Sequence, residues 1–453
     1  MYNLHDTICA ISTPPGESAL AIVRLTGDQS KTIAEKIIAE KQLRNRQTVF
    51  CKMIDEQGDI VDEVIAIWYE APKSFTAEDM VEIICHGGYV VSQQILLLLC
   101  KSGARLAEPG EFTLRAFLNG RLDLTRAEAV NSVIYAKSSK AKQLAINNLE
   151  GRLNSRLTVI SNSLFELIAI LEAEIDFGDE EATKLSRQQI KSRIKSLNEL
   201  VDETISTYDI GRISEGRAQV AIVGAPNVGK SSLFNALLKS DRAIVTSKPG
   251  TTRDYLSEYI DIGGYPVILT DTAGIRDSDE TVEIIGIDKT KGLIDNVDLC
   301  LFVLDVSRAF NDEDKHILDI ISNRSYIPVI NKIDIDSMQK STYSNLFAQG
   351  NQLRISAITG YGIEDLVIRL RETLIDRLPE PQDGVLLSQR QFGCAQKASG
   401  CFDNTLKALN DGETEEIIVS LLREAQNYIG ELTGKITSDD ILNSIFSRFC
   451  IGK

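Results

Sequence analysis

The sequence predicts a multidomain fold: an amino-terminal α+β domain, a helical domain, and an α/β domain inserted into the helical one. Three observations carry this. Proline is absent between Pro109 and Pro226 and again after Pro381, and both gaps repeat apolar residues at three- and four-residue spacing, as helices with one buried face do. Between the gaps, short β-branched runs alternate with helical segments, the pattern of a parallel sheet covered by helices. At 453 residues the chain is too long for one core and fits about three domains.

Taken in order, residues 1–119 combine strand-like TICAIST, ALAIVRLTG and MVEIICHGG with helical VSQQILLLLCKSG, an α+β unit. Residues 120–215 form the first helical part, running through NSVIYAKSSKAKQLAINNLEG and LFELIAILEAEIDF. Residues 216–376 hold AQVAIVGA, PVILTDTAG, DLCLFVLDVS and YIPVINKID, the strands of the α/β domain. Residues 377–453 return to helix in EEIIVSLLREAQNYIGELTG and end in CIGK. Insertion is reasonable where a domain's termini lie close together.

Composition bounds the function. Apolar content of 43% and charged content of 25% are those of an ordinary globular protein. The amino terminus has no basic region before an apolar run, and nowhere do eighteen apolar residues stand together, so neither a signal peptide nor a membrane span is expected, and the location is read as cytoplasmic. Eight cysteines include no C-x-x-C pair and only three histidines accompany them, which argues against zinc. Seven of the cysteines are expected to be reduced and buried; Cys450, near the tail, is the exception. A net charge of −16 excludes a protein that grips nucleic acid over its whole surface, so any such contact is local.

The chemistry lies in GAPNVGKSS, a G-x-x-x-x-G-K-[ST] match with Gly224, Gly229, Lys230 and Ser231 in place. It follows a strand and opens a helix, so backbone N–H groups cradle phosphates, Lys230 reaches the outer ones and Ser231 ligates Mg²⁺. DTAG, at Asp271, Thr272, Ala273 and Gly274, follows an apolar strand and supplies a magnesium-side carboxylate and a γ-phosphate-sensing glycine. NKID, with Asn331, Lys332 and Asp334, ends another strand; Asp334 accepts two hydrogen bonds from guanine and would be left unpaired by adenine. Ser356 and Ala357 complete the base pocket by resemblance to small Ras-like GTPases. The nucleotide set further includes Asn227, Val228 and Ser232, with Thr246, Ser247, Lys248, Pro249, Gly250, Thr251 and Thr252 in the loop VTSKPGTTRD. The expected activity is GTP hydrolysis.

Ile275 stands where Ras-like proteins carry a water-orienting Gln, so other groups must do that work. Asn227 has two readings: a turn residue, or an amide oxygen that holds a monovalent cation in the place of an arginine finger. Thr252 is then the switch threonine on Mg²⁺. Glu283, in an acidic stretch, is either solvated or water-orienting, and Arg253, in the loop VTSKPGTTRD, is a further catalytic candidate.

These motifs, with GTTRD, TPPGESALAIVRLTG, CHGG, PGEFTLRAFLNGRLDLTRAEA and the CIGK tail, resemble the MnmE (TrmE) family of tRNA-modifying GTPases along the entire chain. The resemblance implies a homodimer through an amino-terminal folate-binding domain that takes a 5-formyltetrahydrofolate-like or methylenetetrahydrofolate one-carbon donor at Arg24, Glu82, Arg121 and Lys453. It implies potassium held by Asn227, Thr246, Lys248 through its carbonyl, and Thr251. Arg121 stands where a lysine is common, and Lys248-Pro249 departs from the family's usual loop. The implied reaction builds a carboxymethylaminomethyl or aminomethyl group at carbon 5 of wobble uridine in certain tRNAs, with MnmG (GidA), an FAD-dependent partner.

Several alternatives stay open. Cys450-Ile451-Gly452-Lys453 has the outline of a prenylation box, but Lys453 and Gly452 do not fit it. In the family reading Cys450 either acts as a thiolate on the one-carbon or uridine chemistry or only packs. Glu82 either pairs with a pterin edge or is a salt-bridged edge residue. His86 is assigned to the HGG turn. KSSKAKQ and RQQIKSRIK are either tRNA contacts or solvated helix faces. Two rival classes are an assembly GTPase that catalyses nothing else and a dimeric scaffold regulated by GTP.

Overall fold

In a computed structural model the described residues are 6–39, 42–177, 185–240, 256–271, 297–335, 347, 352–378 and 384–452. The chain divides into two compact units: Met1–Asn131 with Asn148–Leu197 and Lys397–Lys453, and Ser132–Asn147 with Asn198–Gln396. No helix among the described residues is long and apolar enough to cross a membrane.

In the first unit six strands, β1 (Ile8–Ile11), β2 (Ser18–Thr26), β3 (Thr48–Ile54), β4 (Ile60–Tyr69), β5 (Met80–Gly87) and β6 (Arg105–Leu106), form one sheet in the order β3-β4-β5-β2-β1-β6. Only β1 and β6 run parallel. Strand alternation divides the side chains between two faces. Cys9, Val23, Leu25, Cys51, Met53, Val64, Val81, Ile83 and Cys85 lie in one buried cluster with Ile33 and Ile37 of helix Ser30–Ile37 and Ile95 and Leu99 of helix Tyr89–Lys101. The opposite face follows the register Arg24↔Glu82, Ile67↔Glu82 and Thr48↔Ile67, and there Phe50 is 67% and Leu20 58% exposed. The sequence reading singles out β1, β2 and β5. It passes over β3 and β4, where Lys52, Asp62 and Glu63 interrupt the apolar alternation.

The long helix Arg152–Phe177 packs on helix Glu415–Thr433. Leu157, Ile160, Leu164, Leu167 and Leu171 on one, and Ile418, Leu422, Ala425, Ile429 and Leu432 on the other, are buried at alternating three- and four-residue intervals. Arg423 Nε donates to Glu172 Oε1 at 2.6 Å across them. Seven of the cysteines are buried or half-buried, all eight are free thiols, and Cys450 is exposed.

One ion network braces the amino-terminal sheet. Arg115 is 0% exposed; its Nη2 donates to Asp6 Oδ1 at 2.6 Å and Glu111 Oε1 at 3.0 Å, and its Nη1 to Glu78 Oε2 at 3.3 Å. Arg105 grips Glu111 with two hydrogen bonds, of 2.7 and 3.1 Å. Burial opposes ionisation of Asp6 and Glu111, yet the two arginines outweigh it and hold both carboxyls below their ordinary range.

The second unit holds β7 (Ala218–Val223), β8 (Leu256–Ile262), β9 (Tyr265–Asp271), β10 (Leu299–Asp305), β11 (Tyr326–Asn331) and β12 (Leu353–Arg354) in the order β12-β11-β10-β7-β9-β8. All neighbours run parallel except the β8–β9 pair. All seven residues of β10 are buried, as a central strand covered on both faces requires. Where the chain enters and leaves this sheet it is stitched together: Leu386 N–H donates to Thr207 Oγ1 at 3.1 Å, and Tyr208 stacks on Phe392 with ring centroids 4.2 Å apart. Gly211 lies under Leu386, where an added Cβ would meet the carbonyl oxygen at 2.0 Å.

Replacing Arg115 by Met removes the fully buried one of the two guanidiniums that Asp6 and Glu111 share, leaving them Arg105 alone, and takes from Glu78 its ion pair. It is expected to destabilise the amino-terminal sheet by about 3–5 kcal/mol, read from hydrogen exchange of its strand amides. Because the folded carboxyl pKa values are lowered, the network's contribution is fully present above the unfolded carboxylate values of about 4 and is lost as pH falls through the lower folded ones.

Candidate functional site

The parallel strands β7, β9, β10, β11 and β12 point their carboxyl ends toward one edge, where open α/β sheets take ligands. At that edge the chain leaves β7 through Gly224 and turns into helix Lys230–Ser240. Two loop residues have left-handed backbones, Asn227 at φ 61° and Gly229 at φ 98°. An added Cβ on Gly229 would lie 2.4 Å from Asn331 Nδ2, and one on Gly224 would lie 2.4 Å from the Val303 carbonyl oxygen. Both glycines are therefore fixed by close approach, and Gly229 also by its backbone angle.

Lys230 Nζ reaches back over the loop and donates to the Gly224 and Ala225 carbonyls, each at 2.9 Å. Val228 is buried, whereas Asn227, Ser231 and Ser232 are exposed at the loop and helix start. Asp271, at the end of β9, is fully buried. The side chain of Asn331 joins two loops: its Nδ2 donates to Val228 O at 2.9 Å, and its Oδ1 accepts from Ala357 N–H at 3.0 Å. Lys332, with φ 65°, donates through Nζ to Asn227 O at 2.7 Å and to Asp305 Oδ2 at 2.6 Å. Asp334 is exposed and Ser356 buried, with Ser356 Oγ accepting from Thr359 N–H at 3.2 Å.

Asp305 is a site residue the sequence reading missed. It ends β10, accepts from Ser307 N–H and Oγ at 2.8 and 2.6 Å, and anchors Lys332. Burial pushes its carboxyl up, but Lys332 and Ser307 more than offset this and the pKa is lowered. The signal available was its position, since each strand of this sheet that ends in a polar residue delivers it to the same edge. Thr246, Ser247, Lys248, Pro249, Gly250, Thr251, Thr252, Arg253, Thr272, Ala273, Gly274 and Glu283 lie outside the described residues.

The first unit carries a second candidate site on the open face of its sheet. A cleft of about 660 Å³ is lined by residues that include Thr48, Ile67, Tyr69, Phe75, Glu82 and Arg121. Glu82 accepts from Arg24 Nε at 2.8 Å through Oε1 and from Tyr69 Oη at 3.1 Å through Oε2. Burial, then the Glu82 charge, raises the Tyr69 pKa, which keeps the phenol a donor. Phe75 has two guanidiniums near its ring, with Arg24 at 5.7 Å and Arg121 at 5.0 Å from the centroid, and its carbonyl accepts from Arg121 Nη1 at 2.8 Å.

The tail closes on the same region. Arg24 Nη1 donates to Gly452 O at 3.4 Å and Ser12 Oγ donates to it at 3.2 Å. Gly452 has φ 88°, and an added Cβ would meet Ile11 O at 2.8 Å. The fold therefore brings Arg24, Glu82, Arg121 and the CIGK segment to one neighbourhood, with Cys450 exposed; Lys453 lies outside the described residues. Glu82 is salt-bridged, one of its two readings, while each oxygen keeps a further lone pair for a ligand. Tyr69 and Phe75 were not singled out from the sequence. His86 sits at the exposed end of β5, where its Nδ1 lies 2.6 Å from Asp62 Oδ1 and its carbonyl accepts from Gly88 N–H at 3.0 Å.

A Gly229→Ala substitution combines a forbidden contact with a left-handed backbone. It is expected to weaken guanine-nucleotide binding at least about 100-fold, measured by titration with a fluorescent GTP analogue, while circular dichroism stays unchanged.

Comparison with known proteins gives the chain's family. A family model described as GTP-binding protein TrmE N-terminus matches residues 7–121, and one described as MnmE helical domain matches residues 124–450. The chain is 41% identical over 459 aligned positions to the tRNA modification GTPase MnmE of Thermoanaerobacter sp. (strain X514), covering 99% of this chain and 100% of that one. It is 43% identical to the protein of the same description from Geobacter metallireducens, covering 100% of both. Among solved structures, a point variant of Era from Aquifex aeolicus bound to GDP.AlF4- is similar over 40% of this chain and 66% of its own, at 27% identity and a TM-score of 0.29. With a helical-domain match across most of its length, an amino-terminal match before it, and full-length relatives above 40% identity, the chain belongs to the MnmE (TrmE) family.

Proposed function

We propose that this chain is a K⁺-dependent GTP hydrolase that works with an FAD-dependent partner of the MnmG (GidA) kind. Together they add a carboxymethylaminomethyl or aminomethyl group to carbon 5 of wobble uridine in certain tRNAs, using a one-carbon folate. The observation that carries the reading is the end-to-end relation to tRNA modification GTPases of a chain whose phosphate loop and guanine-side residues converge on one sheet edge.

The nucleotide edge suits GTP on three counts. The Gly224 and Gly229 cradle has no room for a Cβ, so backbone N–H groups approach the phosphates directly. Lys230 exchanges its two loop carbonyls for phosphate oxygens. Asp334, exposed beyond the Asn331 clamp, takes guanine's two N–H donors. Mg²⁺ is assigned to Ser231 and Thr252. Potassium is assigned to Asn227, Thr246, Lys248 and Thr251, where it supplies the positive charge that an arginine finger supplies elsewhere. Asn227 suits the role because its left-handed backbone lifts an exposed amide off the loop. Glu283 and Arg253 are the water-orienting and charge-supplying candidates.

The cleft around Glu82 has the dimensions of a small-molecule pocket. An acceptor carboxylate, a phenol, an aromatic face and Arg121 suit a pterin ring with its amide and amine donors. The folate supplies a carbon unit; Arg24, Glu82, Arg121 and Lys453 are assigned to hold it, and Cys450 is the nearby nucleophile candidate. The open sheet face bearing Phe50 and Leu20 supports a homodimer through this domain. In this reading residues 1–119 bind folate, 120–215 and 377–453 form the helical domain, 216–376 are the G domain, and the protein works in the cytoplasm.

Mass analysis of wobble uridine from cells lacking the protein is expected to show loss of the carboxymethylaminomethyl and aminomethyl groups. Unchanged uridine would rule the reading out. Purified protein is expected to turn over GTP at least about tenfold faster in K⁺ than in Na⁺, since a positioned charge contributes on the order of 1–3 kcal/mol or more to such a transition state, and Asn227→Ala is expected to erase the difference. Cys450→Ser is expected to abolish tRNA modification with GTP turnover intact.

A further inference from the structure

The cleft around Glu82 carries more positive charge than a pterin ring uses. Its lining includes Arg46, Lys73 and Arg121, against a single carboxylate, Glu82, already engaged by Arg24 and Tyr69. Among the described residues no carboxylate pairs with Arg46, Lys73 or Arg121. On a chain of net charge −16, three cations gathered on one cleft form a local positive field that selects an anionic ligand.

Two of the three cations are held together at one rim. Arg46 adopts φ 58°, its N–H donates to Trp68 O at 2.8 Å, and its Nη2 donates to Lys73 O at 2.8 Å. The Lys73 turn is fixed in turn by its N–H on Glu70 O at 3.0 Å. A left-handed arginine costs about 1–3 kcal/mol in backbone energy. Here the conformation directs the guanidinium onto the segment that presents Lys73.

The rim stands apart from Glu82. Thr48 begins β3 just after Arg46, and the register Thr48↔Ile67↔Glu82 puts one strand between them, about 10 Å at the usual strand spacing of about 4.8 Å. Arg46 and Lys73 thus line the same cleft as Glu82 and Phe75, and a substituent that runs along the sheet from a ring held there meets them.

We infer that Arg46 and Lys73 form a carboxylate subsite for the glutamyl tail of the carrier, so that the cleft discriminates among folates by how many glutamates they bear. This rests on the folate reading above and extends it from the ring to the tail. Neither residue touches the one-carbon chemistry; both set which form of the carrier is taken.

The test uses the full chain and three probes: 5-formyltetrahydropteroate, which lacks glutamate, and 5-formyltetrahydrofolate as mono- and triglutamate, each titrated calorimetrically. The expected order of affinity is triglutamate, then monoglutamate, then pteroate. The double variant Arg46→Gln, Lys73→Gln is expected to bind the glutamylated forms about tenfold more weakly, as two partly exposed ion pairs allow, and the pteroate unchanged, which also shows that the cleft is folded. Equal wild-type affinity for all three probes, or a uniform loss across them in the variant, overturns the subsite. Wild-type protein that binds none of the three overturns the folate reading itself.

Discussion

The nucleotide edge depends on one buried amide. Asn331 donates to the Val228 carbonyl and accepts from the Ala357 N–H, so the phosphate loop after β7 and the base-side loop after β12 are registered against each other through a single side chain. A satisfied buried amide contributes only about 1 kcal/mol per bond, but leaving its partners unsatisfied costs about 1–3 kcal/mol each. Lys332 repeats the arrangement one residue on, joining Asn227 of the phosphate loop to Asp305 at the end of β10. A carboxamide and an ammonium thus make four chain segments into one surface, and the loop conformations that bind phosphate are held before any ligand arrives.

The amino-terminal cleft is organised differently. Glu82, Tyr69 and Ile67 stand on a sheet whose other face is filled by two helices, and Phe75 and Arg121 reach them from loops. Charge balance positions the groups: Glu82 is shared between Arg24 and Tyr69, Phe75 has two guanidiniums near its ring, and Arg115 secures Glu78 at the end of the Phe75 loop. Thr26 and Thr76, with hydroxyls 2.6 Å apart, and Asn119, which donates to Thr76 O at 2.8 Å, fix the same loop from behind. A rigid rear wall and a solvated front let polar groups stay satisfied and still have capacity for a ligand.

The two sites differ in how far the sequence reveals them. Phosphate recognition uses consecutive backbone positions, so the spacing of Gly224, Gly229 and Lys230 already encodes the loop. Asn331 and Asp334 are legible because the first ends a strongly apolar strand and the second follows it by three residues. Asp305 does the same kind of work without a motif around it. The cleft is assembled from residues as distant as Arg24, Thr48, Tyr69 and Arg121, and strand register, which no local pattern specifies, decides which of them meet. Arg24, Glu82 and Arg121 came from a family resemblance, while Phe75 and Arg46 had no signal in the sequence.

Thr207 and Leu386 stand 179 positions apart along the chain yet share a hydrogen bond, with Gly211 packed beneath. To the segments on either side, everything between these two residues is thermodynamically a loop whose mouth is already shut, and the cost of closing a loop grows only with the logarithm of its length. Evolution can therefore lengthen, trim or exchange the intervening module with little penalty to its host.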